Sequence, residues 1–470
     1  MAEAVQKPPQ LPGPPVRVGM ISLGCAKNLV DGEVMLGHLQ RARVELTADA
    51  ASADVVVINT CGFIDDAKRE SIDAILEVAR AKHEGRVRRL VVAGCMAQAY
   101  ASELLREIPE IDAFVGLDEL ERITEAVRGE LAAHLPDQRG AVRIYDHHSP
   151  RLVSTGSYAY LKVAEGCDNP CAFCHIPAMR GSFRSRPIED LVREAQGLEA
   201  QGVRELVLVA QDTTRYGEDL GLRHGLRALV QALLAETSVP WVRFLYAYPA
   251  TLDPGLFELM AANARFLPYL DIPLQHASRR VLKAMKRGGD ARRYRELIER
   301  ARSVVPELAV RTTFIVGFPG EGDTEFEELL DFVRELEFDH LGAFTYSWQE
   351  ENPGAALGDP VPEAEKARRR DVLLETQQSI ALERNRNLVG STSEALVAGP
   401  LPEMELLLEG RLRRQAPEID GRLLINDGTA PAGSLVEVEI TDAHAYDVVG
   451  GIVRVLRLGT APAVRLPVMG

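Results

Sequence analysis

The sequence predicts an α/β protein in three parts: an N-terminal open parallel sheet wound with helices, a central partial (β/α)6 barrel, and a small antiparallel β-barrel of the oligonucleotide-binding kind. Three observations predict it. A strand, turn, helix unit occurs three times within residues 17–107, six further strand and helix repeats fill residues 158–346, and residues 390–455 hold short strand-like runs separated by Gly, Asn and Asp. At 470 residues the chain is long enough for several cores.

In order, residues 1–15 are Pro-rich and lack the apolar core of a signal peptide, so they read as a disordered leader. The first domain, 16–132, has expected strands at 17–23, 54–59 and 90–93. Each is followed by a short turn and an amphipathic helix, and a further helix is expected at 117–131. Residues 133–155 read as a linker; the adjacent His147 and His148 point apart along an extended chain and are discounted as ligands. The central domain, 156–388, has expected strands at 158–164, 205–210, 241–246, 269–272, 309–316 and 341–346, then a charged helix from Glu363. The last domain spans 389–455, and 456–470 read as a tail.

Nothing approaches the apolar length that spans a bilayer, which predicts a cytoplasmic protein with no membrane partner. The net charge of -15 argues against a protein whose affinity comes from neutralising nucleic-acid phosphates. Acids such as Glu394, Glu418, Asp420 and Glu437 outnumber bases in the last domain, which suits a basic partner.

The 6 cysteines fall into two sets. Cys25, Cys61 and Cys95 each sit just past a strand of the first sheet, and in a parallel sheet those ends share one edge, so residues far apart in sequence are expected to converge on one metal site. Cys167, Cys171 and Cys174 lie together in the loop after the first barrel strand, at the mouth where barrel chemistry occurs. Three thiolates with no fourth protein ligand leave a metal position open. Other mouth loops are polar: Gln211 to Arg215, Pro273 to His276 with His276 a possible general base, and Gly317 to Glu321.

The spacing of Cys167, Cys171 and Cys174 resembles the signature of the radical S-adenosylmethionine (SAM) enzymes. With the three dispersed cysteines and a final barrel of the TRAM kind, the chain resembles the methylthiotransferases over nearly its whole length. The segments Ser22 to Asp31, Ile176 to Arg186 and Gln211 to Thr214 are similar to the RimO-type branch, which modifies a ribosomal protein; Gly32 departs from the usual Ser.

That resemblance implies two 4Fe-4S clusters. One, on Cys167, Cys171 and Cys174, would bind S-adenosylmethionine at its open iron and release a 5'-deoxyadenosyl radical. The other, on Cys25, Cys61 and Cys95, would deliver sulfur. It implies a product with a methylthio group on the β-carbon of an aspartate in the twelfth small-subunit ribosomal protein, and a flavodoxin- or ferredoxin-like electron donor. RNA contact is expected only where the substrate is met on the ribosome. Phe173 matches the position that packs near the adenine, while Gln275 and Thr313, at strand ends, are candidates for the cofactor ribose. Arg180, Arg184 and Arg186 are expected beside the radical site, positioning the substrate aspartate or the cofactor carboxylate. The alternatives are a transfer-RNA adenosine methylthiotransferase and a non-catalytic iron-sulfur electron-transfer protein.

Overall fold

The computed structural model describes residues 16–48, 52–131, 134–137, 143–401 and 404–459. The expected leader and residues 460–470 of the tail lie outside the described residues. Two compact units emerge, one of 16–154 with Ile176–Ser182 and one of 155–175 with 183–459. Among the described residues, no helix is long and apolar enough to cross a membrane.

In the first unit β1 (Arg17–Ser22), β2 (Glu45–Leu46), β3 (Val55–Thr60), β4 (Arg89–Gly94) and β5 (Ala113–Val115) form one parallel sheet in the order β2-β1-β3-β4-β5. β2 and β5 escape sequence reading because runs so short carry no periodicity. Side chains alternate between two cores. Val18, Met20, Val55, Val57 and Val91 pack with α1 (Ala26–Arg41) and α4 (Ile123–Arg128). Val56, Ile58, Leu90, Val92 and Phe114 pack with α2 (Asp65–His83) and α3 (Cys95–Glu107).

The expected 117–131 helix is shorter: a 3-10 turn precedes α4, which ends at Gly129 in the left-handed conformation. Residues 150–154 are not a free linker. Arg151 Nε and Nη2 donate to Glu33 Oε2 at 2.9 and 2.6 Å, and Ser154 N and Oγ donate to Glu33 Oε1, both at 2.7 Å. His147 and His148 do not diverge; a turn brings their ring centroids to 3.8 Å. The short helix α5 (Ile176–Arg180) groups with this unit, its Met179 and Ile176 packing with Cys95 and Leu117.

The second unit contains all six expected barrel strands. β6 (Tyr158–Lys162), a small antiparallel pair of β7 (Ala164–Glu165) and β8 (Arg184–Ser185), β9 (Glu205–Val209) and β10 (Trp241–Phe244) come first, then β11 (Tyr269–Asp271), β12 (Ala309–Val316) and β13 (His340–Thr345). Hydrogen bonding divides the six into two parallel sheets, β10-β9-β6 and β11-β12-β13. The seam is bridged by Val242 with Phe266 and by Ala247 N donating to Asp271 O at 2.9 Å. The outer helices are α6 (Ile188–Ala200), α7 (Gly225–Glu236), α8 (Gly255–Ala262), α9 (Arg279–Ala284), α10 (Ala291–Val304) and α11 (Asp323–Leu336), and α12 (Glu363–Arg386) leads onward.

The last block is a closed barrel of β14 (Thr392–Leu401), β15 (Met404–Leu412), β16 (Leu423–Asp427), β17 (Leu435–Ala443) and β18 (Val448–Arg457). Its pairings are antiparallel except β16 with β18, which is parallel. This barrel docks on the N-terminal ends of the central strands. Arg411 Nη2 donates to Glu205 Oε2 at 2.5 Å, and Asp420 accepts from Arg311 and from Tyr269, both at 2.7 Å. Arg414 pairs with Asp339, and Trp241 donates to Glu394 at 2.5 Å. Glu394, Glu418 and Asp420, counted above as surface acids facing a partner, are therefore partly or wholly engaged in docking.

Candidate functional site

The first cysteine set is built from the edge of the first sheet. Gly24, at φ 92, turns the chain after β1 so closely that an added Cβ would lie 2.7 Å from Cys61 Cβ and 3.0 Å from its sulfur. Only glycine fits such a turn. Cys25 then caps α1, and Cys95 opens α3 instead of occupying the expected turn. Asn28 and Asn59 fasten the edge: Asn28 Nδ2 donates to Leu23 O at 2.7 Å and Thr60 O at 3.2 Å, and Asn59 Nδ2 donates to Asn28 O at 2.7 Å. Gly32 lies beside this clasp, where an added Cβ would come within 3.0 Å of Asn59 Nδ2. Cys61 is fixed by Ser71, whose hydroxyl accepts from Cys61 N at 3.0 Å and donates to Cys61 O at 2.9 Å.

The three thiols influence one another. Burial raises Cys95 to about 12, countered in part by Arg180 and reinforced by Cys61 and Cys25. Burial and then the charge of Cys25 raise Cys61. Burial would raise Cys25 too, but Lys27, Arg180 and the Asn28 and Lys27 amides outweigh it, and its thiol lies below the usual range. Among the described residues, no group of three Cys, His, Asp or Glu side chains is arranged to hold a single metal ion. A set of thiolates spread around a cluster of several irons does not require that convergence.

Arg180 is engaged with the first cysteine set. Its guanidinium is buried in the first unit, where Nη2 donates to Cys95 Sγ at 3.1 Å and Nη1 and Nη2 both donate to Asp31 Oδ2 at 3.2 Å. In the second unit Arg186 Nε donates to Asp190 at 2.7 Å and its Nη1 to Glu194 at 2.5 Å and Lys162 O at 3.2 Å. Arg184 lies in β8, paired with Glu165 of β7.

The second set lies in the loop after β7. Cys167 and Cys171 are buried and Cys174 half-buried. Cys167 accepts from Asn169 N at 3.4 Å, Cys174 N donates to Cys171 O at 3.2 Å, and Ala172 N donates to Met285 O at 3.0 Å. Burial raises Cys167 to about 11. Arg287, stacked 4.3 Å from the Tyr248 ring centre, directs Nη1 at Cys171 Sγ at 3.5 Å.

Residues 351–354 back this loop: Gly354 N donates to Ala172 O at 2.8 Å and Asn352 Nδ2 to Phe173 O at 3.3 Å. Phe173 packs on the cluster of Ala172, Phe318 and Tyr346, which Ile315 also borders. Gln275 and Thr313 are neighbours, Gln275 N donating to Thr313 O at 2.8 Å. Gln275 is held at φ 70, a strained conformation for a side-chain-bearing residue, and among the described residues its buried Oε1 and that of Gln211 have no hydrogen-bond partner. Such atoms fit a mouth that binds a polar ligand. His276, expected as a possible general base, is fully buried, with Nε2 3.1 Å from Glu321 and Nδ1 accepting from Ser278 N.

Of the residues that sequence reasoning did not single out as a clasp or backing, Asn28, Asn59 and Gly354 act through main-chain contacts and Asp31 through its buried pair with Arg180. The only available signal was their position beside cysteines or in an Asn-Pro-Gly turn.

Family models match in three places: uncharacterized protein family UPF0004 at 17–116, the radical SAM superfamily at 161–333 and the TRAM domain at 389–453. The radical SAM methyltransferase TsrM from Kitasatospora setae shares the fold at TM-score 0.51 and 17% identity, over 73% of this chain and 77% of that one. These likenesses define a radical SAM protein with an N-terminal α/β domain and a TRAM barrel.

Curated relatives narrow the class. Ribosomal protein uS12 methylthiotransferase RimO of Anaeromyxobacter sp. (strain K) is 50% identical over 440 residues, 93% of each chain, and that of Solibacter usitatus (strain Ellin6076) is 48% identical over 461, covering 96% and 97%. This chain belongs to the RimO family of methylthiotransferases.

Proposed function

We propose that the protein transfers a methylthio group to the β-carbon of an aspartate in ribosomal protein uS12. The observation that carries this reading is the pairing of two separate three-cysteine sets in a chain that shares full-length similarity with uS12 methylthiotransferases. Cys167, Cys171 and Cys174 would each hold one iron of a 4Fe-4S cluster, leaving the fourth for S-adenosylmethionine. Cys25, Cys61 and Cys95 would hold a second cluster. When bound, these groups supply one-electron cleavage of one S-adenosylmethionine, hydrogen abstraction from an unactivated carbon, sulfur for the new bond and, from a second S-adenosylmethionine, the methyl on that sulfur, chemistry no side-chain base provides.

The chain's own residues arrange that chemistry. Phe173 offers an apolar face to the adenine, and Gln275 and Thr313 offer polar atoms to the ribose. Asn352 and Gly354 keep the cysteine loop in place through its carbonyls. The docked acids, and Glu437 with its pair to Arg454, leave the exposed Glu439 among the remaining carboxylates of the last barrel for a basic partner. We place the enzyme in the cytoplasm, served by a flavodoxin- or ferredoxin-like reductant.

Mass spectrometry of uS12 from cells with and without this enzyme tests the reading. The expected result is a methylthio adduct on one aspartate, present only with the enzyme, and 5'-deoxyadenosine released by the reduced protein. Modification of an anticodon stem-loop adenosine instead would favour the transfer-RNA alternative, and absence of 5'-deoxyadenosine would favour the electron-transfer one. About eight irons per chain are expected, falling by about half when Cys25, Cys61 and Cys95 become Ala.

A further inference from the structure

Arg180 is only 1% exposed, and its immediate partners are a cysteine sulfur and Asp31, itself 1% exposed. Burying a charged pair costs solvation that its mutual attraction barely offsets, so an apolar pair of similar volume would be at least as stable. The surroundings suit such a replacement: Leu117, Met179 and Cys95 are buried together, with Phe63 and Ile176 against them. The site nevertheless keeps a fork of charged donors with one arm on sulfur. Asp31 receives both terminal nitrogens on one oxygen, which fixes the guanidinium and leaves Nη2 aimed at Cys95. Lys27 is the other cation acting on this set, through Cys25.

We infer that Arg180, oriented by Asp31, is a positioning residue that sets the reduction potential of the cluster held by Cys25, Cys61 and Cys95. The inference rests on the two-cluster reading above. A hydrogen bond to a ligating sulfur and a nearby positive charge both withdraw electron density from the iron and favour its reduced form. Arg287 on Cys171 is the corresponding contact in the other set.

The test uses the full chain with Cys167, Cys171 and Cys174 changed to Ala, reconstituted with iron and sulfide, so that one cluster is present. Its midpoint potential and electron paramagnetic resonance spectrum are compared for Arg180, Arg180→Lys, Arg180→Gln and the double variant Asp31→Asn/Arg180→Gln. The Gln variant is expected to lose about tenfold in the reduction equilibrium, about 59 mV to lower potential for a one-electron couple. Lys, which keeps the charge but not the fork, should recover part of it. The double variant also removes the Asp31 charge that Arg180 balances, which keeps the comparison available if Arg180→Gln alone fails to load, and it should still shift downward. Iron retained at an unmoved potential in every loadable variant overturns the inference. Failure of the Arg180 parent to bind iron overturns the cluster assignment itself, and the inference with it.

Discussion

At the residue scale, the cysteine positions were legible because their chemistry is written in spacing, whereas the residues that hold them act through backbone atoms that spacing does not reveal. Gly354 is the sharpest case. A Cβ added there would sit 2.7 Å from Ala172 O and 2.9 Å from Ala172 Cβ, and the loop carrying Cys171 and Cys174 would have to move. Gly354→Ala is expected to cost about 1–3 kcal/mol by overpacking and to lower iron bound by the second set. Iron analysis in a Cys25, Cys61, Cys95 triple-Ala background reads this directly, and full occupancy there would refute it. Arg180 shows the converse: its motif was recognised from sequence, but its placement depends on α5 packing with the first unit, a tertiary fact with no periodic signature.

At the element scale, the parallel order and the shared cysteine edge followed from repeated strand, turn, helix patterns, and all six central strands lie where apolar runs placed them. The linker was misread because composition reports polarity and not attachment. Residues 150–154 cross α1 at Gly37, where an added Cβ would come 2.3 Å from Pro150 O and 2.6 Å from Arg151 N. The contact is backbone against backbone, so neither side can yield by rotating a side chain. Gly37→Ala should lift this strap, free Glu33 from Arg151 and Ser154, and expose the 143–154 segment to protease while the sheet core stays folded. Limited proteolysis with mass analysis would detect the new cut; a digestion pattern identical to the parent's would contradict the strap's dependence on Gly37. Glu33→Gln, which keeps the shape and removes the charge, should loosen the same segment more mildly.

At the scale of the second unit, the last barrel is fastened to the strand starts by buried carboxylates, and acid should undo the fastening. Burial alone would raise Glu205, Asp339 and Asp420, but neighbouring charges outweigh it: Arg243 and Arg411 at Glu205, Arg414 and Arg384 at Asp339, His340 and Arg311 at Asp420. All three therefore lie below the usual carboxylate range. A group whose pKa is depressed by folding contributes stability that is complete above its unfolded value, about 4. That contribution is lost as pH falls through the lower folded value. Thermal unfolding followed from pH 7 downward should thus hold steady to about 4 and then decline steeply. Asp420→Asn should lower the melting temperature at neutral pH, since removing one partner of a buried pair costs about 3–5 kcal/mol. It should also flatten the acid decline, because one titrating carboxylate is gone. An acid slope unchanged in Asp420→Asn, with the neutral-pH loss present, would mean that Asp420 is not ionised in the folded protein and that the acid sensitivity of the fastening rests on Glu205 and Asp339.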